Sequence, residues 1–241
     1  MLRAVPSPTV VLASSAQHMA RPLPDARVAE SHRLLRRNPT IRCRRVVVVV
    51  AVLVGAALIG ATLRLPRGSA SFYVAGYLLA GVWILASLLG GPVRVRGPLI
   101  PRSNELVIGT ALGAVMFALF VPAAEIGRNF TVLAGPIDNV LGKADAGPVV
   151  AVLALALVNG LAEELFFRGA LNDAIAGRWA LIASTVVYVG VTAVAGNIAL
   201  TLAAVVMGAV FAAERRITAG LVAPIVTHLL WSTLIVVALP R

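Results

Sequence analysis

Apolar residues in this chain come in long blocks separated by short polar or basic connections, from residue 46 to the C-terminus. A helix that crosses a bilayer needs about 20 apolar residues. The blocks that come near this length are 46–63, 70–91, 105–124, 148–170, 179–195, 197–213 and 217–239. They predict an all-α fold, a polytopic transmembrane helix bundle with about seven spans.

Three local features refine this bundle. The fifth and sixth blocks are short and joined by Gly196-Asn197, which predicts a tight helical hairpin. Residues 125–147 are slightly acidic and contain Gly-Pro, which is typical of a long external loop. Gly109 and Gly113 have the spacing that lets two membrane helices approach closely.

Residues 1–45 lack helical periodicity and contain many Pro, Ser and Arg residues. They end in a dense basic run formed by Arg33, Arg36, Arg37, Arg42, Arg44 and Arg45. We therefore expect two parts: a disordered cytoplasmic tail over residues 1–45 and a transmembrane domain over residues 46–241.

Composition and charge support a membrane protein. The chain is 59% hydrophobic and 13% charged, whereas about a quarter of the residues in soluble domains are charged. The net charge of +11 would also suit nucleic acid, but the basic residues flank apolar blocks, so the expected partner is the lipid bilayer. Most Arg residues fall on the inner side if the N-terminus is cytoplasmic. We expect a multi-pass protein of the cell membrane, and the preference for Arg over Lys hints at a bacterial source.

Glu163, Glu164 and Arg168 lie inside the fourth apolar block. Ionisable groups at membrane depth are costly and usually serve a function. On a helix, Glu164 and Arg168 are one turn apart and can form an ion pair. Glu163 points about 100° away and keeps a carboxylate without a cation. Such a carboxylate can exchange a proton with water, and Asn159, one turn earlier, could orient it.

His228 is the only histidine in the apolar blocks. It lies about three turns beyond Arg215 and Arg216, at a depth comparable to that of Glu163. We therefore expect the imidazole and the Glu163 carboxylate to meet, where they could activate water or bind a metal. Structural ion pairs and buried hydrogen bonds are the simpler alternatives for these residues.

The segment Glu163-Glu164-Leu-Phe-Phe-Arg168-Gly resembles the first motif of the CPBP family of intramembrane proteases. This family includes the CAAX proteases, the bacteriocin-processing or Abi proteins, and the lysostaphin resistance protein A-like proteins. The resemblance covers about residues 100–239, and its two later motifs are partial. Thr192 follows Tyr188 where the family has Phe-x-x-x-His, and Ser232 follows His228 where it has His-x-x-x-Asn.

The resemblance implies an endopeptidase, metal- or glutamate-dependent, in which Glu163 activates the attacking water. It implies that Glu164 and Arg168 complete the first motif, and that His228 and Ser232 stabilise the oxyanion. Thr192 is the sixth candidate catalytic residue; it cannot replace an imidazole as a ligand or base, but it could hold a water molecule. Glu163 and His228 are the tentative ligands for zinc or another divalent metal, in a site left incomplete by Thr192. The implied substrate is a peptide or a membrane protein.

Two other functions stay open at the level of sequence. Thr192 and Ser232 suit a degenerate family member that binds without cutting, as a membrane scaffold or as an immunity or regulatory factor. Intramembrane carboxylates also occur in proton-coupled carriers, but no inverted repeat is evident in the sequence. The sequence identifies neither the substrate nor the oligomeric state.

Overall fold

The computed structural model describes residues 39–90, 103–144 and 147–238. The regular elements in these ranges are all helices, and five of those helices are long and apolar enough to cross a membrane. This confirms the predicted polytopic helical bundle. Many large apolar side chains point outward, as expected for lipid contact; examples are Val49, Leu53, Leu88, Val107 and Val150. The predicted tail lies outside the described residues except for residues 39–45, which belong to the first helix and not to a disordered segment.

Each predicted block contains a helix. In chain order the helices are α1 (Pro39–Arg64), α2 (Ala70–Leu89), α3 (Ser103–Gly127), α4 (Thr131–Ala144), α5 (Val149–Glu163), α6 (Asn172–Ile175), α7 (Ala180–Ala193), α8 (Ile198–Thr218) and α9 (Val222–Ala238). A π-helical segment, Glu164–Leu171, joins α5 to α6, so that Val149–Ile175 forms one continuous span. With 14 and 17 residues, α7 and α9 are shorter than the other spans.

The predicted hairpin is present between α7 and α8, which pack against each other. Gly196 adopts φ +71°, in the left-handed region that suits glycine in a tight turn. Asn197 then caps α8, because its side-chain oxygen accepts a hydrogen bond from the Leu200 amide at 2.9 Å. The helix extends to Thr218, beyond the predicted end at residue 213.

The expected external loop over residues 125–147 instead contains α4. Gly135 and Pro136 made this segment read as a loop, although Leu133, Ile137 and Val140 recur at helical spacing. These three apolar side chains line one wall of a cavity against the spans. Burial of this apolar face explains why a helix forms despite the internal proline.

Lys143 anchors α4 to the end of α1. Its ammonium group donates hydrogen bonds to the carbonyl oxygens of Leu65, at 2.6 Å, and Thr62, at 3.4 Å. These carbonyls lie at the C-terminal end of α1, where a helix accepts cations favourably. Burial and the nearby charge of Arg67 lower the pKa of Lys143.

Helix α9 packs along both α3 and α5. A methyl group placed on Gly109 of α3 would lie 2.7 Å from the Ala223 carbonyl oxygen, and one on Gly113 would lie 3.1 Å from Leu230 Cβ. The predicted close helix contact therefore exists, and its partner is α9. This contact matters for the site because α9 carries His228.

The indole of Trp83, on α2, connects α1 to the π segment. It is fully buried and occupies the space beside Gly55 of α1, where an added Cβ would lie 2.0 Å from the ring. It stacks on Phe166 with ring centroids 4.5 Å apart and lies 5.0 Å from the Phe167 ring. These rings belong to one hydrophobic core that includes residues of α1, α2 and the π segment.

The close contact at Gly109 predicts a steric effect on stability. We expect Gly109→Ala to destabilise the bundle by about 1–3 kcal/mol, because the new methyl group must push α9 away from α3. Thermal unfolding in detergent micelles measures this effect. Gly81→Ala is the matched control, since a methyl group there meets no atom within 4 Å. Equal losses of stability in the two variants would contradict this packing.

Candidate functional site

The backbone changes from α-helix to π-helix at Glu164, inside the predicted first motif. Segments with π geometry occur frequently at functional sites, because their wider turn shifts the side chains that follow. Nearly every residue of this segment is buried: Glu164, Phe166, Phe167, Arg168, Gly169, Ala170 and Leu171. The motif side chains therefore face the inside of the bundle.

The Glu164 carboxylate is 0% exposed and binds two cationic or polar groups through one oxygen. Its Oε1 accepts from Arg168 Nη1 at 3.3 Å and pairs with His228 Nδ1 at 3.0 Å. The predicted ion pair with Arg168 is thus present. The imidazole, however, pairs with Glu164, whereas sequence analysis expected it to face Glu163.

The position of Gly160 explains this difference. The His228 ring lies against Gly160, where an added Cβ would be 3.2 Å from the imidazole Cδ2. Gly160 and Glu164 are one turn apart on the same helix face, so a ring resting on the first meets the second. Phe211 stacks on the ring with centroids 4.9 Å apart and planes at 21°. These contacts fix the imidazole and leave Nε2 as the nitrogen outside the Glu164 pair.

Arg168 is 1% exposed and surrounded by groups that replace its water. Its guanidinium carbon lies 4.5 Å from the centroid of the Tyr188 ring and 4.9 Å from that of Phe211. Its Nη2 donates to the Gly208 carbonyl oxygen at 3.5 Å. A desolvated cation between aromatic faces gains about 2 kcal/mol or more, which offsets part of the cost of burial.

Glu163 is only partly buried, and among the described residues no cation lies within ion-pair distance of it. The Tyr188 side chain lies close enough to the Glu163 carboxylate for the two groups to influence each other electrostatically. His228 and Arg168 lie close enough to act on it electrostatically. The two adjacent glutamates therefore occupy different environments: Glu164 is held by ion pairs, and Glu163 has none among the described residues.

Asn159 ties α5 to α2. Its amide nitrogen donates to the carbonyl oxygens of Gly76, at 3.2 Å, and Leu155, at 3.0 Å. None of the hydrogen bonds among the described residues joins Asn159 to Glu163, so the expected orienting role is not visible in the geometry.

Thr192 and Ser232 are both buried in the protein, at 4% and 7% exposure, and so neither faces lipid. The Thr192 hydroxyl donates to the Tyr188 carbonyl oxygen of the preceding turn at 2.9 Å. This is the usual bond of a threonine inside a helix. Ser232 lies one turn after His228 on α9.

The residues present do not fit a zinc site. Glu163 and His228 were the tentative ligands, and catalytic zinc takes three ligands from the protein. In the ranges that the structure describes, no three His, Cys, Asp or Glu side chains are grouped to hold a metal ion. Thr192 stands where the family motif supplies a second histidine, and its hydroxyl proton is engaged by a carbonyl.

Sequence analysis assigned no role to Glu214, which lies on α8 beside this cluster. Its carboxylate is 1% exposed and hydrogen bonds to the Thr227 hydroxyl of α9. Glu214 directly precedes Arg215 and Arg216 in the sequence, and a group of charges at the end of an apolar block is typical of a solvated helix end. Thr227 next to His228 was the available signal, since a buried hydroxyl there needs a partner.

The fold and the site define a multi-pass helical membrane protein with a buried cluster of carboxylates, one arginine and one histidine. Residues 145–234 match the family described as type II CAAX prenyl endopeptidase Rce1-like. The match includes the π segment, α7, α8 and most of α9, and it confirms the predicted resemblance to the CAAX proteases. It supports assignment of this region to a family of intramembrane endopeptidases. No curated protein and no solved structure matches the chain significantly.

Burial of the ion pair predicts a large effect of removing its cation. We expect Arg168→Met to destabilise the protein by about 3–5 kcal/mol, because Glu164 then stays buried without its partner. Arg128 is the matched control, since it pairs with the exposed carboxylates of Glu125 and Asp138. Arg128→Met should cost about 0–1 kcal/mol. Denaturant unfolding in mixed micelles measures both, and similar losses would contradict the burial.

Proposed function

We propose that this protein is an intramembrane endopeptidase in which Glu163 activates the attacking water. One observation carries the proposal: Glu164 is held by Arg168 and His228, whereas Glu163, the adjacent residue, has no ion-pair partner among the described residues. A pair of carboxylates in different environments is the usual basis for dividing structural and catalytic roles.

The reaction would begin with a water molecule hydrogen-bonded to Glu163. The carboxylate takes a proton from this water while the water oxygen attacks the carbonyl carbon of the scissile peptide bond. The resulting tetrahedral intermediate carries an oxyanion. When the carbon–nitrogen bond breaks, the proton passes from Glu163 to the leaving nitrogen. General base catalysis of this kind contributes about 10²–10⁴ in rate.

His228 and Ser232 are the proposed donors to the oxyanion. A protonated imidazole whose Nδ1–H is held by Glu164 presents an N–H at Nε2, which is the form that an oxyanion donor requires. Ser232 lies one turn further along α9 and offers a hydroxyl. Tyr188, which lies near Glu163, could hold the base in position. In this scheme Thr192 supplies no catalytic group.

An apolar cavity of about 370 Å³ lies between α3, α4, α8 and α9. Its lining includes Phe120, Leu133, Ile137, Leu202, Trp231 and Ile235. The Trp231 ring centroid is 6.4 Å from that of His228, so the cavity ends beside the proposed site. An apolar part of a peptide or membrane-protein substrate could therefore bind here while its peptide bond reaches His228.

The role of Glu163 is tested with the purified protein in nanodiscs. We expect Glu163→Gln to slow cleavage of a fluorescence-quenched farnesylated CAAX peptide, or formation of new N-termini in bacterial membrane extracts, by about 10²–10⁴. Glu125→Gln, at an exposed carboxylate, is the control. Hydrolysis in ¹⁸O-labelled water should place one ¹⁸O in the new carboxylate. Equal cleavage by the wild-type protein and Glu163→Gln would contradict the proposal.

The cavity predicts a separate effect on substrate binding. Ala203 lines the cavity, and Ala203→Trp should fill it, so KM for a substrate with an apolar chain should rise about tenfold. The rate constant kcat should change little, because Glu163 and His228 are untouched. Val205→Trp, on the outer surface of the same helix, is the control. A similar rise in both variants would argue against binding in the cavity.

A second function is favoured by one observation, the bond that occupies the Thr192 hydroxyl. If the missing histidine has removed catalysis, the protein would be a degenerate member of its family that binds peptides without cutting them. The same cleavage experiment separates the two functions. Activity that appears in Thr192→His but is absent from the wild-type protein would support the degenerate form.

A further inference from the structure

A second buried carboxylate, Glu214, joins three helices next to the site. It projects from α8 towards α9, where the fully buried Thr227 hydroxyl hydrogen bonds to its Oε1. The same hydroxyl lies 3.1 Å from the carbonyl oxygen of Gly109 on α3. Since Gly109 is also a point of close contact between α3 and α9, Glu214 and Thr227 lie where all three helices meet.

The number of hydrogens available between Thr227, Gly109 and Glu214 indicates whether the Glu214 carboxyl group is protonated. The Thr227 hydroxyl carries one hydrogen but lies close to two acceptors, Gly109 O and Glu214 Oε1. A protonated Glu214 can donate to the Thr227 oxygen while Thr227 donates to Gly109, and both contacts are then hydrogen bonds. An ionised Glu214 would leave one of the two contacts without a hydrogen.

The other oxygen of Glu214 points to the same state. Oε2 is buried and has no hydrogen-bond partner among the described residues. Oε2 of Glu164 also lacks a partner, but Glu164 is paired with Arg168 and His228, whereas Glu214 has no ion pair within the described ranges. Burying an unpartnered carbonyl oxygen costs about 1–3 kcal/mol, and an unpartnered charged oxygen costs more. The charges of Glu164 and Arg168 both act on Glu214, but no ion pair joins Glu214 to Arg168 within the described ranges.

Glu214 and Phe211 approach His228 from the same side. They are three residues apart on α8 and therefore share a helix face. Phe211 stacks on the imidazole, and Glu214 bonds to Thr227, the residue directly before His228. One face of α8 thus contacts both the His228 ring and the adjacent backbone position on α9.

We propose that Glu214, as a neutral hydrogen-bond donor to Thr227, is a positioning residue for His228. It holds α9 at the rotation and depth at which Nδ1 reaches Glu164. The inference goes beyond the proposed endopeptidase activity and relies on that activity only for the importance of His228. Glu214 itself touches no reacting atom in this arrangement.

The test uses ¹⁵N NMR of the imidazole in the full chain in nanodiscs. His18 and His32 are replaced by Gln, so that His228 gives the single histidine signal. In the otherwise unchanged protein we expect Nδ1 to be protonated and hydrogen-bonded. Glu214→Gln should leave this signal unchanged, because its amide N–H can donate to Thr227 as a neutral acid does. Glu214→Ala should shift the signal by releasing Nδ1 from Glu164.

Substitutions at Thr227 provide a second comparison if Glu214→Ala fails to fold. Thr227→Ser keeps the hydroxyl and should retain the wild-type signal, whereas Thr227→Val has nearly the same shape without the hydroxyl and should shift it. A shift in Glu214→Gln, whether or not it equals that of Glu214→Ala, would show that the ionised form is needed and would overturn the proposal. So would an unchanged signal in both Glu214→Ala and Thr227→Val.

The NMR measurement needs no substrate, so it remains valid if the proposed peptidase activity fails. If the activity is present, a kinetic readout follows. Glu214→Ala should lower kcat by about 100-fold, as expected when a reacting group moves by about 1 Å. KM of Glu214→Ala should stay nearly constant, and Glu214→Gln should have a kcat close to that of the wild-type protein.

Discussion

Keeping Arg168 and Glu164 away from water is the constraint on which the rest of the bundle depends. Each buried ion loses several kcal/mol of hydration, and a single contact between the two does not replace it. The remaining interactions come from three other helices: Tyr188 from α7, Phe211 from α8 and His228 from α9. The helices must therefore assemble around the ion pair before its charges become tolerable. This couples the formation of the site to the packing of the whole bundle.

The same interactions explain why two adjacent glutamates differ. The face of α5 that carries Gly160 lies under α9, so Glu164 receives the imidazole as well as the guanidinium. Glu163 lies on the neighbouring face, towards Tyr188 of α7. A rotation of about 100° between consecutive residues thus places one carboxylate in a closed network and leaves the other outside that network. The division follows from helix geometry and needs no difference in side-chain chemistry.

Features that depend on residues near each other in the chain could be predicted from the sequence. The apolar blocks, the Gly196 hairpin and the Glu164–Arg168 pair are all local, and each is found in the structure. Features that depend on neighbouring helices could not be predicted in the same way. Three such features arise from how α8 and α9 pack on α5: the contact of His228 with Glu164, the π segment and the burial of Glu214. The helix α4 was not predicted for a different reason: its Gly-Pro pair is typical of a loop, and the apolar residues at helical spacing around it were not considered.

Trp83 has a consequence for the boundaries of the functional unit. It lies outside residues 145–234, the region shared with the endopeptidase family, yet it stacks on Phe166 within the shared motif. Gly55 on α1 leaves the room that this indole occupies. The segment that matches the family therefore ends within a hydrophobic core and not at its edge. A chimera that received this segment from another protein would fold only if its own first two helices supplied a matching aromatic side chain and a glycine that leaves room for it.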